Sequence, residues 1–139
     1  MRRILWVMAA GLAAVVSLHA QTQNPIPEKF TNLQVLPKDT TRQNLVPIMR
    51  GFALNLGTRC VNCHVYSGSD PAGNDLSKFD FASDAKPGKA TARKMMRMVT
   101  AINDDLLKGV GDPAPAGTQK VTCYTCHRGA LKPLTAPGL

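Results

Sequence analysis

The pentapeptide Cys-x-x-Cys-His occurs twice in this chain, as Cys60-Val61-Asn62-Cys63-His64 and as Cys123-Tyr124-Thr125-Cys126-His127. In a helical turn this spacing lets two thiols reach the two vinyl groups of one porphyrin. The imidazole that follows then lies under the iron, and the pentapeptide is the attachment sequence of a c-type haem. All four cysteines of the chain belong to these two pairs. A structural zinc would need only the four thiolates, so a His after each pair would be a coincidence. Closure of each pair as a small disulfide leaves both histidines equally unexplained. A thioredoxin-type redox pair calls for a βαβ setting, and none is visible around either motif. Two haem c groups, with their iron, are therefore the expected cofactors. Cys60, Cys63, Cys123 and Cys126 are the expected thioether positions, and His64 and His127 the expected proximal ligands.

Residues 1–20 read as a secretory leader. Arg2 and Arg3 give a positive start, Ile4 to Leu18 is an apolar run, and Ala20 precedes the polar Gln21-Thr22-Gln23. Cleavage after Ala20 and a periplasmic location are the expectation, which suits a haem type attached outside the cytoplasm. The alternative is an uncleaved anchor, although the run is short for a span of about 20 residues. No cysteine lies near the cut to carry a lipid.

Residues 21–139 then form one small domain. With aromatic residues at 5% the chain has little with which to build a core, and two porphyrins would make good that deficit. The apoprotein is expected to be mostly unfolded. The formal charge of +8 falls when Arg2 and Arg3 leave and again when haem propionates are added. The densest basic cluster is Lys86, Lys89, Arg93, Lys94 and Arg97. It reads as a solvated helix face, with docking of an acidic redox partner as the alternative. A basic stripe interleaved with stacking aromatics is absent, so a nucleic-acid role is not expected.

Pro25 and Pro27 mark an extended lead-in. Asp39-Thr40-Thr41 offers N-cap groups for a helix running to Leu56, with Leu45, Ile48, Met49, Phe52, Ala53 and Leu56 at helical spacing and Gly57 as the stop. Pro47 would sit inside that helix unless it begins near Asn44. Ser67 to Gly73 reads as a loop, and 78–87 has no clear pattern. A second helix is expected from about Pro87 to Lys108, ended by Gly109, with Met95, Met98, Val99, Ile102 and Leu106 on one face and Met96 turned partly away. No strand pattern appears. The expected fold is all-α with extensive irregular loops, built as two helix–turn–Cys-x-x-Cys-His repeats at about 40–66 and 87–128.

His64 and His127 are the only histidines beyond the leader, so bis-histidine ligation within one chain is excluded. Methionine with histidine is the arrangement that raises the potential of electron-transfer cytochromes c. Met49 is the distal candidate for the first haem. Met98 is the candidate for the second, with Met95 the runner-up and an iron without a sixth ligand the alternative.

Together, certain residues resemble the cytochrome c subunit of photosynthetic reaction centres. They are Ile48-Met49-Arg50 and Leu56-Gly57 before the first motif, and Arg97-Met98-Val99 with Ile102-Asn103. To these are added Lys120-Val121-Thr122 leading into the second motif, Gly129-Ala130, and Lys132-Pro133-Leu134. The likeness runs from about 32 to 134 and is to the C-terminal, two-haem half of that subunit. It implies a multihaem cytochrome c in which each haem lies along a helix followed by a turn and the attachment motif, with the methionine matching Met49 as a sixth ligand. The family subunit carries four haems where this chain has two motifs. The family's last haem takes a distal histidine from an N-terminal half that has no counterpart here. Small two-motif relatives look like periplasmic proteins of non-photosynthetic bacteria, so photosynthesis itself is not implied.

The leading functional expectation is a periplasmic dihaem carrier of single electrons between redox proteins, including membrane-bound respiratory or photosynthetic complexes. It would act through Fe(III)/Fe(II) cycling and not as an enzyme. A second reading makes the chain part of a larger redox complex or a self-associated assembly, in which a neighbour completes the second haem. A small haem peroxidase or reductase comes third, because the chain has no spare histidine for acid–base work beside an open iron.

Overall fold

Thr41 begins the first helix: its side chain accepts a hydrogen bond from the Asn44 N–H (3.4 Å) while its own backbone stays extended. The computed structural model describes residues 25–136, so the leader and its cleavage site lie outside the described residues. Helix α1 spans Arg42–Leu56 and ends where Gly57 turns left-handed (φ 55°), giving its N–H back to the last turn. Both expected ends are met. Pro47 lies inside α1 and has no N–H to offer the carbonyl one turn back.

After α1 the chain makes a single 3₁₀ turn at Cys60–Asn62 and enters strand β1, Val65–Tyr66. Strand β2, Phe79–Asp80, pairs with it antiparallel, Val65 opposite Asp80 and Tyr66 opposite Phe79. This ribbon corrects the strand-free expectation. Two residues a side are too few to show alternation, and the pairing rests on aromatic contacts. Tyr66 lies 4.6 Å from Phe79 between ring centroids, and Phe79 stacks on Phe81 at 5.2 Å. The loop between the strands is tied by Asp70, which accepts from the backbone N–H groups of Ala72 (2.9 Å) and Asn74 (3.0 Å). Its Gly73, with φ at 65°, lies against Val61 and Phe79, where a side chain would collide with both.

Helix α2 spans Pro87–Ala101, with Pro87 in the first turn where no N–H is needed. The expected continuation to Lys108 is not α-helical: Ile102–Leu106 forms a π-helical turn closed by the Leu107 N–H on the Ile102 carbonyl (2.8 Å). The cause is local. The Asn103 side-chain amide donates to the Val99 carbonyl (2.9 Å), the acceptor that an α-helix would reserve for the Asn103 backbone. Gly109 still marks the end, at φ 73°. Helix α3, Cys123–His127, is one turn long and packs against α1.

The described residues are mostly helix and irregular chain, and none of their helices is long and apolar enough to cross a membrane. Leu45 is their only buried hydrophobic side chain. The thin core inferred from composition is thus seen directly.

Candidate functional site

Each Cys-x-x-Cys-His motif is a single helical turn. In the first, the N–H groups of Cys63 and His64 both return to the Cys60 carbonyl, at 3.1 and 2.9 Å. In the second, the Thr122 N–H donates to Thr125 Oγ1 (3.0 Å), and the Arg128 N–H returns to the Tyr124 carbonyl (2.9 Å). Such turns bring cysteines three apart towards one side. All four cysteines are free thiols: Cys60 and Cys126 are exposed, Cys63 and Cys123 half-buried. Burial pushes the Cys63 thiol up in pKa, with the adjacent Cys60 adding to the effect and Lys86 opposing it. Among the described residues no three His, Cys, Asp or Glu side chains converge as a zinc site requires, so the two pairs do not form one tetrahedral centre.

The repeats interlock. The first motif is seated against the start of α2, where Gly88 has so little room that a Cβ would lie 2.6 Å from the Asn62 carbonyl and 3.6 Å from Cys63 Sγ. Lys86 reaches across to the Val61 carbonyl (2.5 Å). The second motif is seated against the end of α1. There the Gly129 N–H donates to the Asn55 carbonyl (3.0 Å), and a Cβ on Gly57 would strike the Gly129 carbonyl. Each attachment motif therefore rests on the helix of the other repeat.

The two histidines differ in their support. His127 Nδ1 faces the Ala130 carbonyl at 3.0 Å, and since a carbonyl only accepts, this nitrogen carries the proton and Nε2 keeps its lone pair. His64 is half-buried with the edge of its ring 5.2 Å, centroid to centroid, from Phe81, and its Nδ1 is buried without a hydrogen bond. Burial lowers the pKa of His64 and the nearby Lys89 charge adds to this, while a loose backbone hydrogen bond with Phe81, too poorly aligned to count as a full partner, acts in the opposite sense.

Met49 lies half-buried on α1. Met95 and Met98 stand on α2 at 41% and 45% exposure, whereas Met96 is half-buried. The expected burial order on α2 is thus reversed: Met96 is the more covered side chain. Leu106, placed on the same expected face, is 71% exposed, because the π-turn rotates it away.

The basic cluster is not a solvated face. Lys89 donates to the carbonyls of Phe81 (3.0 Å), Ala82 (2.9 Å) and Ser83 (2.9 Å) and pairs with Asp84 (3.1 Å). Arg93 pairs with Asp84 (2.8 Å) and donates to the Asn32 carbonyl (3.1 Å). With Lys86 also engaged, only Lys94 and Arg97 of the five are exposed. Position on the helix could not reveal this, because the partners come from loops distant in sequence.

Asn103 was legible only as part of a family-like string. Beyond Val99, it donates to the Val121 carbonyl (2.7 Å) and accepts from the Val121 N–H (3.0 Å), clasping the chain two residues before Cys123.

The residues present fit haem c. The chemistry of the donor set matches, the proton on His127 Nδ1 leaves Nε2 for a metal, and apolar side chains such as Met95, Met98 and Tyr124 stand open among described residues of which one hydrophobic side chain is buried. The family model for the photosynthetic reaction centre cytochrome C subunit matches residues 10–136. The chain belongs to this family. It is 28% identical over 144 residues to the photosynthetic reaction center cytochrome c subunit of Rubrivivax gelatinosus (strain NBRC 100245 / IL144), covering 91% of this chain and 37% of that protein. The chain thus spans little over a third of that relative's length. No solved structure matches it. Proteins of this family typically carry electrons through haem c.

Proposed function

We propose that this chain is a periplasmic dihaem c-type cytochrome that passes single electrons between redox proteins. The observation that carries the reading is the pair of single-turn Cys-x-x-Cys-His motifs, each seated on the helix of the other repeat. Bound at Cys60, Cys63 and His64, and at Cys123, Cys126 and His127, two haems would supply reversible one-electron chemistry. The protein's part is orientation. The Ala130 carbonyl holds His127 in the tautomer that presents Nε2, and Asn103 anchors the approach to the second motif. Met49 is proposed as the distal ligand of the first haem and Met98 of the second, with Met95 as its alternative. Export rests on the leader-like residues 1–20.

A second reading, a subunit of a membrane-bound or self-associated redox complex, is favoured by one observation: the matching relative is itself a reaction center subunit of which this chain covers 37%.

The test is haem per chain, with carbon monoxide binding to the dithionite-reduced protein, in wild type and Met49→Ala. The expected result is two haems, no adduct in wild type, and a new adduct at one haem in the variant. Absence of covalent haem in a host able to mature cytochromes c overturns the assignment. An adduct in wild type removes Met98 as ligand and favours the complex.

A further inference from the structure

The two proximal histidines, alike in sequence, differ in their second-nitrogen partner, and Lys89 stands where that difference arises. A proximal imidazole that donates its second N–H to a carbonyl becomes more basic and stabilises the oxidised metal. His127 has such a carbonyl in Ala130. His64 has the Phe81 backbone beside it, close enough to favour the charged ring, but its buried Nδ1 has no well-formed hydrogen bond. The carbonyl of Phe81 also accepts from the Lys89 ammonium at 3.0 Å. Lys89 is 12% exposed and shares its three N–H groups among the carbonyls of Phe81, Ala82 and Ser83 and the Asp84 carboxylate. We propose that Lys89 is a positioning residue that raises the reduction potential of the haem attached at His64, by competing for the Phe81 carbonyl and by placing a cation near the ring.

Both effects have the same sign. A carbonyl that accepts from an ammonium is a weaker acceptor for imidazole, so His64 remains a less basic ligand and Fe(II) is favoured. A neighbouring cation also disfavours the oxidised, more positive iron. Arg93 adds to the second effect, while Asp80 and the partly exposed Asp84 offset part of it.

This inference rests on the proposed dihaem reading. The experiment is a spectroscopic redox titration of each haem in wild type, Lys89→Met, Lys89→Gln and Lys89→Arg, with haem counted on every sample. Lys89→Met removes charge and donor and is expected to lower one potential alone. A tenfold weaker reduction equilibrium at that haem would read as about 59 mV for one electron. Lys89→Gln should give a smaller drop, and Lys89→Arg should restore the wild-type value, which a merely structural role would not predict. If Lys89→Met does not assemble, the glutamine variant carries the test through charge alone. Two haems with both potentials unchanged, or shifted equally, overturn the inference and leave the dihaem reading standing. A wild-type haem count other than two overturns that reading and this inference with it.

Discussion

Gly57 is where helix α1, its stop signal and the second attachment motif meet, and alanine there should be costly for two separable reasons. At φ 55° a Cβ meets left-handed strain of about 1–2 kcal/mol. The same Cβ would strike the Gly129 carbonyl, so α1 and the second motif must part, and the Gly129–Asn55 hydrogen bond adds about 1 kcal/mol. Against this, alanine restricts the unfolded chain and returns about 0.4–1 kcal/mol. The net loss is about 2 kcal/mol. For a domain of this size that lowers the Tm by about 8 °C, at about 4 °C per kcal/mol. Two other glycines calibrate the result. Gly109 is also left-handed (φ 73°) but has nothing within 4 Å, so Gly109→Ala should show strain alone, about 1 kcal/mol once the unfolded-chain term is deducted. Gly51 lies inside α1 with open space around it, so Gly51→Ala should stabilise by about 0.5–1 kcal/mol. The assay is thermal unfolding of the three holoproteins by far-ultraviolet circular dichroism at matched haem content. A Gly57→Ala midpoint equal to that of Gly109→Ala would refute the interlocking contact. One equal to wild type would refute the strain as well.

Two further outcomes follow from the polar clasps. Asn103→Leu strands the Val121 N–H and carbonyl in a half-buried setting and should cost about 2 kcal/mol in guanidinium unfolding, with Asn103→Asp intermediate because it still accepts from the Val121 N–H. An unchanged midpoint in the leucine variant would mean that the clasp contributes nothing. The second outcome concerns acid. Hydrogen bonds from Arg93, then from Asn32, hold the Asp84 carboxyl well below its ordinary 3.8, so it takes up a proton more readily in the unfolded chain. The stability it contributes is complete above about pH 4 and is lost as pH falls through the depressed folded value. Asp70 and Asp75 are lowered too, and both proteins share their loss, so the informative quantity is the difference in Tm between wild type and Asp84→Asn. That gap should narrow as pH falls from about 4 to about 2; a constant gap would show that Asp84 is not held by charge.

Much of this protein is decided by short-range chemistry, and that part is readable in order along the chain. Thr41 and Gly57 bound α1 because capping needs only a hydroxyl at one end and a left-handed residue at the other. Pro87 starts α2 for an equally local reason. The attachment motifs are single turns because their own backbone hydrogen bonds close within five residues. A low aromatic content already points to the thin core seen among the described residues. Other features depend on partners that sequence does not place side by side. The short ribbon needs Tyr66, Phe79 and Phe81 brought together across a loop. The clasp on the second motif needs Val121 within reach of Asn103. Lys89 and Arg93 look like solvated charge until Asp84 and the 81–83 carbonyls fold onto them. Two copies of Cys-x-x-Cys-His thus point to the group the chain is built to hold. Only the tertiary structure decides that each motif leans on the other repeat, and that one histidine finds a carbonyl while the other stands beside a carbonyl that also accepts from a lysine. Those are contacts between distant segments, and their energies exist only once the chain has closed on itself.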